Sequence, residues 1–145
     1  MAMDRRDLLK ATGLSLVARA GAGVPAIPAA KWSSFVTLAL PDNAGPVFLA
    51  KLASNSTDPR LPSDVTKTSN IGLFSIDSNR SHRLLVRTGD LLEVRGAQKE
   101  LSQITILGAV SGSPGQARSY NASGDLVFRA TFTDRKQAIM RIHLP

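Results

Sequence analysis

The chain has 145 residues, 43% of them hydrophobic, with a formal charge of +7 and no cysteine. That length suits one ordinary domain. No run of about 18 apolar residues exists to form a transmembrane segment, and the absence of cysteine excludes a disulfide framework and thiolate chemistry. The basic balance raises nucleic acid as a partner. However, the 18 Lys and Arg are scattered from Arg5 to Arg141, and the only adjacent basic pairs are Arg5-Arg6 and Arg135-Lys136. Aromatic residues are few and do not interleave with the basic ones as base-stacking surfaces require. No nucleic-acid partner is expected.

Residues 1–30 form an N-terminal segment with two readings. Asp4-Arg5-Arg6-Asp7-Leu8-Leu9-Lys10 is twin-arginine-like, followed by a short apolar stretch. Candidate cleavage sites lie at Ala20-Gly21-Ala22 and Pro28-Ala29-Ala30. Arg19 interrupts the apolar stretch, and Asp flanks the arginine pair on both sides. The second reading is internal repetition. Leu16-Val17-Ala18-Arg19-Ala20-Gly21-Ala22 aligns with Leu84-Leu85-Val86-Arg87-Thr88-Gly89-Asp90, an offset of 87 − 19 = 68. Trp32-Ser33-Ser34-Phe35 aligns with Leu101-Ser102-Gln103-Ile104, an offset of 101 − 32 = 69. Residues 16–22 are then the end of a preceding repeat.

Residues 31–145 read as a β-repeat domain of just under two units. Trp32 to Leu40 predicts a strand with Phe35, Thr37 and Ala39 on one face and Val36, Leu38 and Leu40 on the other. A turn follows at Pro41 to Pro46, then a strand at Val47 to Leu52. Ala53 to Asn70 lacks an apolar period and reads as a long surface loop, either functional or poorly ordered. Ile71 to Asp77 and His82 to Arg87 predict a hairpin, Leu91 to Glu100 a charged connection, and Leu101 to Val110 a strand. Ser111 to Gln116 is a loop. Asn121-Ala122-Ser123-Gly124 is turn chemistry. Leu126, Phe128, Ala130 and Phe132 then share one face of a strand, and Val127, Arg129, Thr131 and Thr133 the other. A turn at Thr133 to Lys136 leads to a last strand ending near Leu144. About seven strands and no sustained helical period argue for an all-β protein.

Several segments recur in order. Val47-Phe48-X-Ala50 matches Val127-Phe128-X-Ala130, an offset of 128 − 48 = 80, and Ile71 to Asp77 pairs with Gln137 to His143. Asn121-X-X-Gly124-X-X-X-Phe128-X-Ala130, with the strand end Leu84 to Asp90, resembles the bacterial exported tandem-repeat proteins named for an NxxGxxxF-type motif. The first copy departs from the pattern, since Asp42-Asn43-Ala44-Gly45 reaches Phe48 one residue early. The resemblance implies antiparallel sheets like β-propeller blades, on an exported or surface protein with no defined activity. A small β-sandwich is the alternative. Phe48, Phe74, Phe128 and Phe132 are expected in the core. No C-terminal anchor is visible in the sequence.

No motif nominates a catalytic, cofactor-binding or metal-binding residue. Ser111-Gly112-Ser113-Pro114-Gly115 approaches a nucleophile elbow and fails its spacing. His82 and His143 are lone histidines outside any zinc pattern, and no serine is nominated for a triad with His143. Asp77-X-Asn79-X-Ser81 begins like a calcium loop, but His82 stands where Gly belongs and Thr88 where Glu belongs, so it reads as a hairpin turn. Asp90 and Glu93 read as a solvated carboxylate pair. Asn55, Asn79 and Asn121 head glycosylation-type triplets, which matter only in a eukaryotic secretory chain. The expected function is therefore non-catalytic: a structural module, or one binding a protein or glycan through loops 53–69 and 111–119. Neighbouring repeats or a second copy are further expected partners. A small hydrolase on a propeller-type scaffold is the rival.

Overall fold

The computed structural model describes residues 16–39, 45–55, 60, 63–106 and 124–144. They form eight strands and no helix: β1 (Ala30–Ala39), β2 (Val47–Ser54), β3 (Ile71–Ile76), β4 (His82–Arg87), β5 (Leu91–Val94), β6 (Ala97–Thr105), β7 (Asp125–Phe132) and β8 (Gln137–His143). Each sheet is a four-stranded antiparallel meander, in the orders β1-β2-β3-β4 and β5-β6-β7-β8. The protein is all-β, as the alternating patterns predict. Strictly sequential, hairpin-linked strands are also the topology of a propeller blade.

Alternation decides which faces meet. Val47, Leu49, Leu73 and Val86 point from the first sheet into a core shared with Leu101, Ile104, Leu126, Phe128, Ala130 and Phe132 of the second. The opposite face of the first sheet gathers Trp32, Phe48, Ala50, Leu52, Phe74 and Ile76 into a second cluster, which Val24 and Ile27 complete from the N-terminal side. All four phenylalanines expected in the core are buried. The rings of Trp32 and Phe74 meet edge-on at 4.7 Å, and those of Phe48 and Phe74 stack at 5.6 Å. Contacts of this kind add to simple area burial.

The two halves repeat in hydrogen-bond register. The Gly21 amide donates to the Trp32 carbonyl at 2.7 Å, and the Gly89 amide donates to the Leu101 carbonyl at 2.7 Å. The Trp32 amide returns a bond to Ala22 O at 2.9 Å, and the Leu101 amide returns one to Asp90 O at 2.9 Å. Both glycines have positive φ, 88° and 93°. The recurrence continues into the ladders. Trp32 pairs with Leu52 and Ser34 with Lys51 across a bulge, while Leu101 pairs with Phe132 and Gln103 with Thr131 across another. Further on, Phe48 faces Phe74 and Phe128 faces Met140.

Two sequence expectations are corrected. Leu91 to Glu100 is not a connection: it holds β5, a two-residue turn and the start of β6. Arg95 and Gly96 both take positive φ, 50° and 81°, the combination that lets a two-residue loop follow strand twist. The strand expected at Leu101 to Val110 accordingly begins at Ala97, and eight strands are described rather than about seven. In β1, register shifts at Trp32/Ser34 and Phe35/Thr37 break the expected alternation. Phe35 faces Ala50 and Leu38 faces Phe48, so Phe35 and Leu38 share a face instead of opposing each other. Loop 111–119, the turn residues 41–44, Asn121 to Ser123 and the arginine pair lie outside the described residues.

Candidate interaction surface

The same β1 irregularity builds an apolar groove of about 270 Å³, lined by Val17, Ala18, Phe35, Thr37, Leu38, Pro46 and Phe48. Phe35 is 44% exposed and Leu38 71%. The floor is fixed by aromatic packing, with Phe35 at 5.7 Å from Trp32 and 5.8 Å from Phe48. One wall is the N-terminal segment, tied down where His82 Nε2 and Val17 O meet at 3.0 Å. The His82 ring lies 6.0 Å from Trp32, so this lone histidine serves as a bracket between the segment and the aromatic cluster. Such a surface can bury another apolar face, and it offers little polar chemistry.

The position of this groove gains meaning from the matching registers of the two sheets. Phe35, 44% exposed, corresponds to Ile104, which is only 4% exposed beneath the first sheet, while Phe48 and its counterpart Phe128 are both buried. In the second sheet this face is covered by the first sheet. In the first sheet, among the described residues, the N-terminal segment covers part of it.

Loop 53–69 is partly described. Its residues 63–69 are held by Arg87, which is 8% exposed. Arg87 Nε donates to Ser69 O at 2.7 Å, and its terminal nitrogens reach both oxygens of Asp64 at 3.2–3.3 Å. The Arg87 amide donates to Asp90 Oδ2 at 2.8 Å, so Asp90 is engaged locally rather than paired with Glu93. This portion of the loop is anchored to the junction between the sheets.

Among the described residues, no group of three or more His, Asp and Glu side chains converges as a metal site. Asp77 Oδ1 accepts the amides of Asn79 and Ser81, each at 2.9 Å, and Oδ2 meets Arg83 Nε at 3.3 Å. The calcium-like run is thus a side-chain-capped hairpin turn, and these bonds hold the Asp77 carboxyl below the usual aspartate range. His143 Nδ1 sits 3.0 Å from Asp125 Oδ1. Sequence spacing did not reveal that pair, because the two residues lie at opposite ends of the β7–β8 hairpin and meet only in its register. The groove was equally hidden, since strict alternation separates Phe35 from Leu38.

The class is then an all-β protein of two four-stranded meanders with one partly uncovered apolar face. The chain belongs to the DUF7453 family, a family of unknown function whose profile matches residues 8–140. Neither a curated protein nor a solved structure matches it.

Proposed function

We propose that the chain is a non-catalytic β-repeat module of an exported or surface protein, structural or binding a protein or glycan partner. The observation that carries this reading is the recurrence of one hydrogen-bond register around Gly21 and Gly89. It supports the resemblance to exported tandem-repeat proteins with an NxxGxxxF-type motif, and the assignment of residues 16–22 as the end of a preceding unit. Repeat units rarely bury their faces alone, so such modules work in assemblies. Loops 53–69 and 111–119 are the proposed contacts for a protein or glycan.

Packing also places a limit on processing under this reading. A cut after Ala30 would remove Val24, Ile27 and Ala30, all buried against Trp32 and its neighbours. A cut after Ala22 would free Trp32 N–H from its acceptor. Processing upstream of residue 16 would keep all the described contacts of the first sheet. The test is the intact mass of the chain in separated fractions of its native host. A chain outside the cytoplasm that retains residues 16–30 is expected. A full-length chain confined to the cytoplasm contradicts export.

The His143–Asp125 pair keeps a hydrolase as the second reading. Labelling with a fluorophosphonate probe, lost in His143→Ala, would favour it. No labelling is expected.

A further inference from the structure

We propose that the hollow between the N-terminal segment and Trp32 binds a small monocarboxylate, a single ring or short chain carrying one carboxylate. The site lies apart from loops 53–69 and 111–119, so the inference goes beyond the proposed function and does not depend on the repeat.

The hollow has a volume of about 220 Å³. Leu16, Val17 and Pro25 line it with Trp32, and Arg19 and His82 join them. None of the described residues that line it is acidic. It meets the apolar groove only at Val17 and Ala18. The groove has no charged residue in its lining, and so nothing there would orient a ligand. This hollow has both an apolar wall and a cation, the combination by which small-molecule sites fix a ligand's direction.

The walls are tied to the floor before any ligand arrives. The Gly21 amide donates to the Trp32 carbonyl at 2.7 Å, and the Trp32 amide donates to Ala22 O at 2.9 Å. His82 Nε2 meets Val17 O at 3.0 Å. A carbonyl oxygen only accepts, so Nε2 carries the proton and is spent on the wall. Trp32 itself is 2% exposed and held by the aromatic cluster. A site held in place this way loses little ordering entropy on binding.

Arg19 supplies the charge. It is exposed and has no acidic partner among the described residues. Other arginines of this chain take carboxylates, Arg83 from Asp77 at 3.3 Å and Arg87 from Asp64 at 3.2 Å. A guanidinium fork matches the two oxygens of a carboxylate. A phosphate would bring a second negative charge to a hollow with one permanent cation. The volume sets the size, since drug-sized ligands occupy about 300–1,000 Å³.

Trp32 is the only tryptophan, so its fluorescence reports on this hollow alone. The test titrates the full chain with phenylacetate, its neutral analogue phenylacetamide, and acetate, each to about 20 mM, a range suited to a ligand of so few atoms. Phenylacetate is expected to bind about three- to tenfold more tightly than phenylacetamide, the gain from one exposed charge pair. Acetate, which lacks the apolar body, should give no saturable change. Arg19→Gln should bring phenylacetate down to the level of phenylacetamide, while Arg141→Gln, on the second sheet, should leave both unchanged. Circular dichroism is expected to be the same in all three proteins. Absence of saturable phenylacetate binding overturns the proposal. Equal binding of the amide in the wild type also overturns it, without need of a variant. So does a preference for the carboxylate that survives in Arg19→Gln or is lost in Arg141→Gln. None of these results bears on export, which the fractionation decides separately.

Discussion

The Phe74 ring occupies the space where a side chain at Gly72 would stand. A Cβ on Gly72 would lie 2.6 Å from Phe74 Cε2 and 2.9 Å from Cζ. Phe74 is fully buried between Trp32 and Phe48, so its ring has nowhere to retreat. The equivalent pair in the second sheet is Ala138 with Met140, where a small side chain sits beside a flexible one. Gly72→Ala is therefore expected to destabilise by about 1–3 kcal/mol through overpacking. Adding Phe74→Met should return part of that loss, giving a favourable coupling in a urea-denaturation double-mutant cycle. Strict additivity would mean that the ring is not the obstacle.

Gly21 and Gly89 share a conformation but not a neighbourhood. A Cβ at Gly21 meets nothing within 4 Å, whereas one at Gly89 meets Ser69 Cβ at 3.3 Å and Thr68 O at 3.5 Å. Gly21→Ala should cost only the strain of an L-residue at positive φ, about 1 kcal/mol. Gly89→Ala should cost more, because loop 63–69 must also yield. Chemical-denaturation midpoints of the two variants would rank them, and equal losses would contradict the packing at the junction.

Arg87 is expected to act as the anchor of residues 63–69. Asp64 is largely exposed, so its ion pair alone is worth little, about 0–1 kcal/mol. The bond from Arg87 Nε to Ser69 O is more sheltered. Arg87→Met should therefore cost about 1–3 kcal/mol and speed proteolysis within the loop, while Asp64→Asn should be nearly neutral. Arg87→Lys should rescue little, since an ammonium cannot reproduce the guanidinium fork. Limited proteolysis with mass mapping reads all three, and an unchanged loop in Arg87→Met would remove the anchor.

Two turn aspartates set an acid dependence. Bonds from Ser81 N–H, and then from Arg83 and Asn79 N–H, hold the Asp77 carboxyl below its ordinary value of 3.8. The ammonium of Lys99 and then the Lys136 amide do the same for Asp134. A carboxyl depressed in the folded state stabilises fully above its unfolded value. That contribution is lost as pH falls from the ordinary value near 3.8 through the lower folded value. Denaturation midpoints should fall on acidification through that window, and more shallowly in Asp77→Asn/Asp134→Asn. Identical profiles in the wild type and the variant would contradict the assignment.

Much of the fold was legible because its strands alternate cleanly. Leu126, Phe128, Ala130 and Phe132 point inward together, and Val127 and Arg129 point out. The β5–β6 hairpin was missed for a physical reason. Its turn is Arg95-Gly96, which lacks the Asn-Gly or Asp-Gly signal, and its strands carry Glu93, Lys99 and Glu100 on a half-exposed sheet. The groove was illegible because it depends on two bulges in β1, which no periodicity of two can reveal. The His143–Asp125 pair depends on the register of a hairpin whose turn takes its shape from Asp134 and Arg135. The aligned segments reached furthest, since they fall at matching points in the registers of the two sheets. Arg19-Ala20-Gly21 and Arg87-Thr88-Gly89 are too short to convince by letters alone, yet they mark the same backbone geometry.

That geometry is the central claim, and amide hydrogen exchange resolved by residue tests it most directly. The measurement compares the amides of Gly21 and Trp32 with those of Gly89 and Leu101 in the full chain. If the two halves are copies of one unit, all four bonded amides exchange slowly, each well below the rate of an unstructured peptide. If Gly89 and Leu101 are protected while Gly21 and Trp32 exchange freely, residues 16–22 do not hold the edge of the first sheet as Gly89 and Asp90 hold that of the second, and the repeat account fails at its starting point.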